Sequence, residues 1–338
     1  MLHDINLSPD APALNARHLP DLIDLYLKDV SRRDQSKTAR GYRAKLQFFL
    51  DWWKIEAAKR DYLLSVDDLR DFARHLEGLP ISYHTRNDAL RRLRQVLRWA
   101  FHRNMIGVDL SLDVPSATGS PPAKTPVEVE TLARLLAAAS NTRQPLRDVA
   151  LIATLAGTGV RCEEAAAMRL EDLTIYADGS GFISLHVAKN DKPRIVAFDA
   201  ATGRHLRRWI DELPTTAGPL FPSRTGQGKK SLSPSGLYKL VVDLAVSAGV
   251  RDQVRGPHDL RRMFATLWSR RLRGESYGQL LQKQLGHASW ATTQTYSLQD
   301  AGDVLDAMRA CAVSPVAQVE AEGRSPAGLI PSLDSPNG

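Results

Sequence analysis

Only two cysteines, Cys162 and Cys311, occur in 338 residues. They are too few for a disulfide framework and too far apart for a clustered zinc site, and a reducing cytoplasm suits them. No stretch approaches the roughly 18 uninterrupted apolar residues that cross a bilayer. The N-terminus, MLHDINLSPDAPALNARHLPDLI, has no basic stretch running into an apolar one, so neither membrane insertion nor secretion is expected. A Gly-x-x-x-x-Gly-Lys-Ser/Thr phosphate loop is missing, as is any cluster of aspartates and glutamates suited to a magnesium pair. Neither a metal nor another cofactor is therefore expected. Gly157-Thr158-Gly159 makes a poor dinucleotide loop, because it follows a helical pattern rather than a strand and Cys162 stands where a third glycine would be.

What is present is ordinary globular composition, 43% hydrophobic and 25% charged, with 45 Lys and Arg against 38 Asp and Glu for a formal charge of +7. A basic surface favours polyanions, because each cation that neutralises a phosphate releases condensed counterions. Charge alone leaves a basic enzyme with a small substrate equally open. The length predicts two domains.

Residues 19–112 read as a helical domain after an extension of residues 1–18. Leu22, Leu25 and Tyr26 line one helix, Tyr42, Leu46, Phe49, Leu50 and Trp53 a second, and a third starts near Val66. From His84 to Arg103 an apolar stripe of Leu90, Leu93, Leu97, Ala100 and Phe101 runs beside a basic stripe of Arg91, Arg94 and Arg98. Most charge runs are simply solvated faces, but the excess of one sign makes these three arginines the candidate DNA contacts of the domain. VPSATGSPPAKTP then reads as a linker, residues 113–125. A second domain, residues 126–312, opens on a helix with Thr125 as N-cap and Pro126 at its first position. Val149 to Ala156 is a further helical run. A β-hairpin is predicted from Phe182 to Val187 and Ile195 to Phe198, with a turn around Asn190 and Asp191. Residues 313–338, rich in Pro, Gly and Ser, read as a disordered tail.

Three clusters in the second domain set polar or cationic side chains beside apolar runs: AGTGVRCEEA, HDLRR and LGHASWATTQTY. Each has a plain structural explanation. Gly157 and Gly159 suit a helix C-terminus that turns Arg161 inward, where it would bind an anion or pair with Glu163 or Glu164. His258 and Arg261 share a helix face, His287 suits a cap, and buried structural tyrosines far outnumber nucleophilic ones.

Taken together, in order and spacing, the clusters resemble the catalytic domain of the tyrosine recombinases, the phage integrase family, over about Pro126 to Leu305. Arg161 matches the first arginine of the family signature and Glu164 its acidic residue. Lys189 matches the hairpin lysine, with Lys192 and Arg194 following as in the family. His258 and Arg261 match the His-x-x-Arg pair, His287 the Leu-Gly-His histidine, and Tyr296, nine residues on, the nucleophile. The N-terminal helices resemble, more weakly, the family's core-binding domain.

The resemblance implies a mainly α protein: a helical, SAM-like core-binding domain joined to a mixed α+β catalytic domain with a small antiparallel sheet. It implies a site-specific recombinase that cuts double-stranded DNA through a 3′-phosphotyrosyl link and a Holliday junction, as a homo-tetramer on two sites. Accessory DNA-bending or directionality proteins would be its further partners. A type IB topoisomerase uses similar chemistry, and a catalytically silent DNA-binding regulator would keep the fold. A helix is predicted over Ala301 to Ala310, with Val304, Leu305 and Met308 on one face; the resemblance implies that it docks on a neighbouring protomer, and docking on its own domain stays open. Loss of the polar tail after Ser314 is expected to do little.

Overall fold

The computed structural model describes residues 14–15, 19–33, 36–57, 63–120, 127–186, 194–223, 230–271, 275–286, 298–311 and 314–323. The chain divides into two compact units, Met1–Lys124 and Thr125–Gly338.

In the first unit four helices, α1 (Leu19–Arg33), α2 (Ser36–Glu56), α3 (Val66–Glu77) and α4 (Tyr83–His102), enclose one apolar core. The start of α3 is fixed by a capping box, in which the Asp68 amide donates to Ser65 Oγ and the Ser65 amide donates to Asp68 Oδ2 at 2.8 Å. At the start of α4 the Thr85 amide donates to Ser82 Oγ. Apolar residues of α4 at three- and four-residue spacing, Leu90, Leu93, Val96 and Leu97, are all buried. They share the core with Leu46, Phe49 and Phe72, the two phenylalanines meeting edge to face at 4.9 Å. Part of the N-terminal extension is tied to this unit, since β1 (Leu14–Asn15) pairs antiparallel with β2 (Leu63–Leu64). So is the beginning of the expected linker: Val114 is buried in the same core.

The second unit is built around α6 (Pro145–Thr158), buried from Arg147 to its end. A helix apolar on every side must be covered on every side. Its neighbours are α5 (Val129–Ala139), α8 (Ala200–Ile210) and α10 (Pro257–Arg271). A three-stranded antiparallel sheet lies in the order β3 (Leu173–Ile175), β4 (Gly181–Leu185), β5 (Arg194–Phe198), with Ile183 opposite Val196. The two hairpin strands pair as predicted, although β4 stops at Leu185; the expected turn around Asn190 and Asp191 lies outside the described residues. The third strand, β3, was not anticipated, being three residues long and only half-buried. The remaining helices are α7 (Cys162–Ala167), α9 (Pro234–Ser247), α11 (Glu275–Leu285), α12 (Leu298–Cys311) and α13 (Pro315–Ala321). Among the described residues no helix is long and apolar enough to cross a membrane.

Two expectations are corrected. First, α5 starts at Val129 behind an extended Glu128, not at Pro126 behind Thr125. Val127 is buried in the core ahead of the helix, and the non-helical backbone of Val127 and Glu128 separates the two positions.

Second, the tail is not disordered throughout. Ser314 caps α13, and Val316 and Val319, both fully buried, pack into the main core of the second unit. Seven residues are too few to be helical alone, so it is this burial, with an Arg204–Glu320 ion pair at the rim, that holds them.

Within the chain, α12 packs on its own domain. Val304, Leu305 and Met308 join Phe182, Ala197, Phe264, Trp268 and Leu285 in one apolar cluster. Arg309 closes it with an ion pair to Asp178 at 2.8 Å.

Candidate active site

The site begins where α6 stops. Gly159 ends the helix in the left-handed conformation (φ 67°), and a Cβ there would stand 2.7 Å from Leu285 and 2.8 Å from Phe264. Only glycine meets both conditions. The turn buries Val160 and delivers Arg161 as the N-cap residue of α7. Its amide donates to Glu164 Oε2 at 2.7 Å and its Nη1 to Glu164 Oε1 at 3.0 Å, while Nη2 donates to the Gly286 carbonyl at 2.7 Å.

From the first turns of α10, Arg261 reaches the same place. It is 4% exposed, and its Nη1 donates to the Gly159 carbonyl at 2.7 Å and its Nη2 to the Leu285 carbonyl at 2.6 Å. Two guanidinium groups from segments 100 residues apart thus converge on consecutive carbonyls at the end of α11, immediately before position 287. His258, one turn earlier on α10, is exposed. A cleft of about 590 Å³ opens here, lined by Arg161, Cys162, Tyr238, Arg255, His258 and Arg261 among others. Fixed cations on the floor of a cleft suit an anion whose charge grows during a reaction.

Glu164 is buried and serves two arginines. Arg194, at the head of β5 and 7% exposed, places Nη2 at 2.9 Å from Glu164 Oε2 and Nη1 on Oε1. Burial by itself would push the Glu164 carboxyl up, but hydrogen bonds and charge from Arg194, with the amide and guanidinium of Arg161, hold it below the usual carboxylate range.

The structure brings together Arg161, Glu164, His258 and Arg261. Lys189, Lys192, His287 and Tyr296 lie outside the described residues. Arg194 was read only as part of the hairpin pattern, and Gln284 was missed altogether. Fully buried, Gln284 exchanges hydrogen bonds with the Ala197 amide and carbonyl (3.1 and 2.9 Å) and donates to the Thr158 carbonyl at 3.1 Å. It thereby fixes α11 to β5 and to the end of α6. Nothing in the sequence marked it, because α11 carries three glutamines among its eleven residues and Gln284 is simply the last of them.

In the first unit the arginine stripe divides. Arg91, beside Asp88 at 2.6 Å, and Arg98, 3.5 Å from His102, are exposed on α4. Arg94 is not a surface cation: half-buried, it donates to the carbonyls of Val114 and Pro115 at 2.6 and 3.2 Å. The chain leaving the helical core passes over it, and its donors satisfy carbonyls that would otherwise lose their water.

The family model described as the phage integrase family matches residues 127–301. A tyrosine recombinase XerC of Xanthomonas campestris pv. campestris is 30% identical over 281 residues, spanning 80% of this chain and 81% of that protein. A tyrosine recombinase XerD of Caulobacter vibrioides is 32% identical over 220 residues, 61% of this chain and 69% of that one. Among solved structures, a lambda integrase tetramer bound to a Holliday junction shares the fold with a TM-score of 0.57 at 16% identity, over 83% of this chain and 80% of that one. With more than half its length matched and its arginines gathered in one cleft, the chain belongs to the phage integrase family, and it is a tyrosine-type site-specific DNA recombinase.

Proposed function

We propose that Tyr296 attacks the scissile phosphate of double-stranded DNA, that Arg161 and Arg261 hold the phosphate, and that four copies of the chain work on two sites through a Holliday junction. The observation that carries the assignment is the convergence of Arg161 and Arg261 on the carbonyls of Gly286 and Leu285. It sets two permanent cations beside the residue that precedes His287. The tetramer and the junction are taken from the lambda integrase assembly that shares this fold, and the cysteine-poor chain suits the cytoplasm.

In this scheme the Tyr296 oxygen forms a bond to phosphorus as the bond from phosphorus to the 5′ oxygen breaks. The pentacovalent phosphorane gathers negative charge on its non-bridging oxygens, which Arg161, Arg261 and His287 stabilise. A tyrosine ordinarily ionises near pH 10, so it needs an electropositive pocket and an acceptor for its proton, here His258. The 5′ oxygen leaves as a hydroxyl only if it is given a proton, and Lys189 on the hairpin supplies it, with Lys192 as the alternative. The phosphotyrosyl ester keeps the bond energy, so a 5′ hydroxyl from the partner duplex can reverse the step without a cofactor. Glu164 orients Arg161, and Arg91 and Arg98 of the first unit contact the DNA backbone.

The test uses a nicked suicide duplex carrying the recombination site. Wild-type protein is expected to accumulate a covalent adduct, while Tyr296→Phe binds the duplex and forms none. An adduct with Tyr296→Phe would remove that residue as the nucleophile. Recombination of a two-site plasmid then separates a recombinase from a topoisomerase, which relaxes the plasmid without exchanging its sites.

A further inference from the structure

We infer that Arg194 is a positioning residue for strand cleavage: it locks the strand leaving the lysine-bearing segment onto Glu164, and through Glu164 sets the place of the Arg161 guanidinium and the net charge of the cluster around it. The inference rests on the functional reading above, in which Arg161 holds the phosphate.

Three observations carry it. The Arg194 fork occupies both oxygens of Glu164, and the same two oxygens receive the amide and Nη1 of Arg161. One carboxylate is therefore shared by two guanidinium groups, and the trio keeps one net positive charge. Without Arg194 the Glu164 carboxylate would pair with Arg161 alone and cancel the charge that a phosphorane needs. The Arg194 guanidinium also packs under Gly286. A Cβ built on Gly286, which has φ 64°, would lie 2.8 Å from Arg194 Cζ, so this cation forms the seat of the peptide that leads to His287 and whose carbonyl binds Arg161.

Finally, Arg194 is costly as a purely structural residue. It is almost fully buried, and its Nε finds no hydrogen-bond partner among the described residues. Buried ion pairs add little net stability over an apolar pair of similar shape. What this one supplies is registration of three segments: β5, the start of α7 and the end of α11.

The test is single-turnover adduct formation on the suicide duplex by the full chain, alongside DNA affinity and thermal melting, for Arg194→Met, Arg194→Lys, Glu164→Gln and the Arg194→Met/Glu164→Gln pair. Arg194→Met is expected to cleave about tenfold or more slowly, the usual effect of removing a residue that orients an active group, with DNA affinity unchanged. Arg194→Lys, which restores charge without the fork, should recover part of the rate; should the methionine variant fail to fold, the lysine variant decides alone by showing a partial loss. Because Arg194 acts through Glu164, the double variant should lose less than the product of the two single losses.

A duplex with a 5′-bridging phosphorothiolate, whose leaving group needs no proton, should not rescue Arg194→Met. Near-normal cleavage, losses that multiply, or phosphorothiolate rescue would each overturn the inference, the last by moving Arg194 from the arginine clamp to the general acid. Failure of the functional reading shows separately, as a wild-type protein that forms no adduct or a Tyr296→Phe protein that does.

Discussion

The helix at residues 315–321 offers a quantitative test, because composition assigns it to a tail and the structure assigns it to the core. Val316 and Val319 are both 0% exposed, and α13 lies against α5, α6 and α8. Replacing valine by alanine removes two methyl groups, about 1.6 kcal/mol at roughly 0.8 kcal/mol per buried carbon. The cavity left behind adds to that, so Val316→Ala and Val319→Ala should each cost about 2 kcal/mol. Against a typical domain stability of about 5–15 kcal/mol this is a large fraction. Deleting residues 314–338 sets a ceiling, because a detached helix regains its backbone entropy and cannot lose its docking energy twice. The Val316→Ala/Val319→Ala double variant should therefore destabilise no more than the deletion does. Native-state hydrogen exchange at the amides of α5 and α6, in the full chain, reads the loss where it occurs. Unchanged protection in Val316→Ala, or a double variant much less stable than the deletion, would refute the reasoning.

Other outcomes follow from the same geometry. Arg261→Ala should slow adduct formation by about 100- to 1000-fold, the effect of removing one preorganised donor from a developing oxyanion, and a near-normal rate would remove Arg261 from the clamp. Lys189→Ala should cleave ordinary DNA slowly and recover on a 5′-bridging phosphorothiolate; if Lys192→Ala shows the rescue instead, Lys192 is the general acid. His205 on α8 is 5% exposed, and its burial, resisted by Glu320 and aided by Arg208 and Arg204, lowers its pKa to about 4 from 6.5. The unfolded chain then binds more protons than the folded one between those values, so stability is full above pH 6.5 and falls as the pH drops toward 4, by at most about 3 kcal/mol. Burial pushes Asp199 the other way, so the His205 share is read as the difference between wild type and His205→Gln in urea unfolding across that range. Identical pH dependence would show that His205 takes no part.

The order Arg161, Lys189, His258, Arg261, His287, Tyr296 can be proposed from sequence because each residue sits in a short, locally determined motif, and of the six the described residues place Arg161, His258 and Arg261 at one cleft. A glycine turn ends α6, a proline opens α10, and the spacing from His287 to Tyr296 is fixed along the chain. The helices of the first unit and the β4–β5 hairpin were legible for the same reason, since a period of 3.6 or 2 in apolar residues is a property of ten or twenty neighbours.

What tertiary structure alone decided is the partner of each polar group and the destination of each short segment. Arg194 meets a carboxylate 30 residues away, and Arg161 meets a carbonyl 125 residues away. Arg94, one of three arginines alike in sequence, is the one the departing chain happens to cross. The seven residues of α13 have the composition of a tail and the burial of a core, because whether a pair of valines is solvated or packed depends on the surface that folds up beside them. Local pattern sets what a segment can become, whereas the free energy that commits it comes from contacts between residues far apart in the chain.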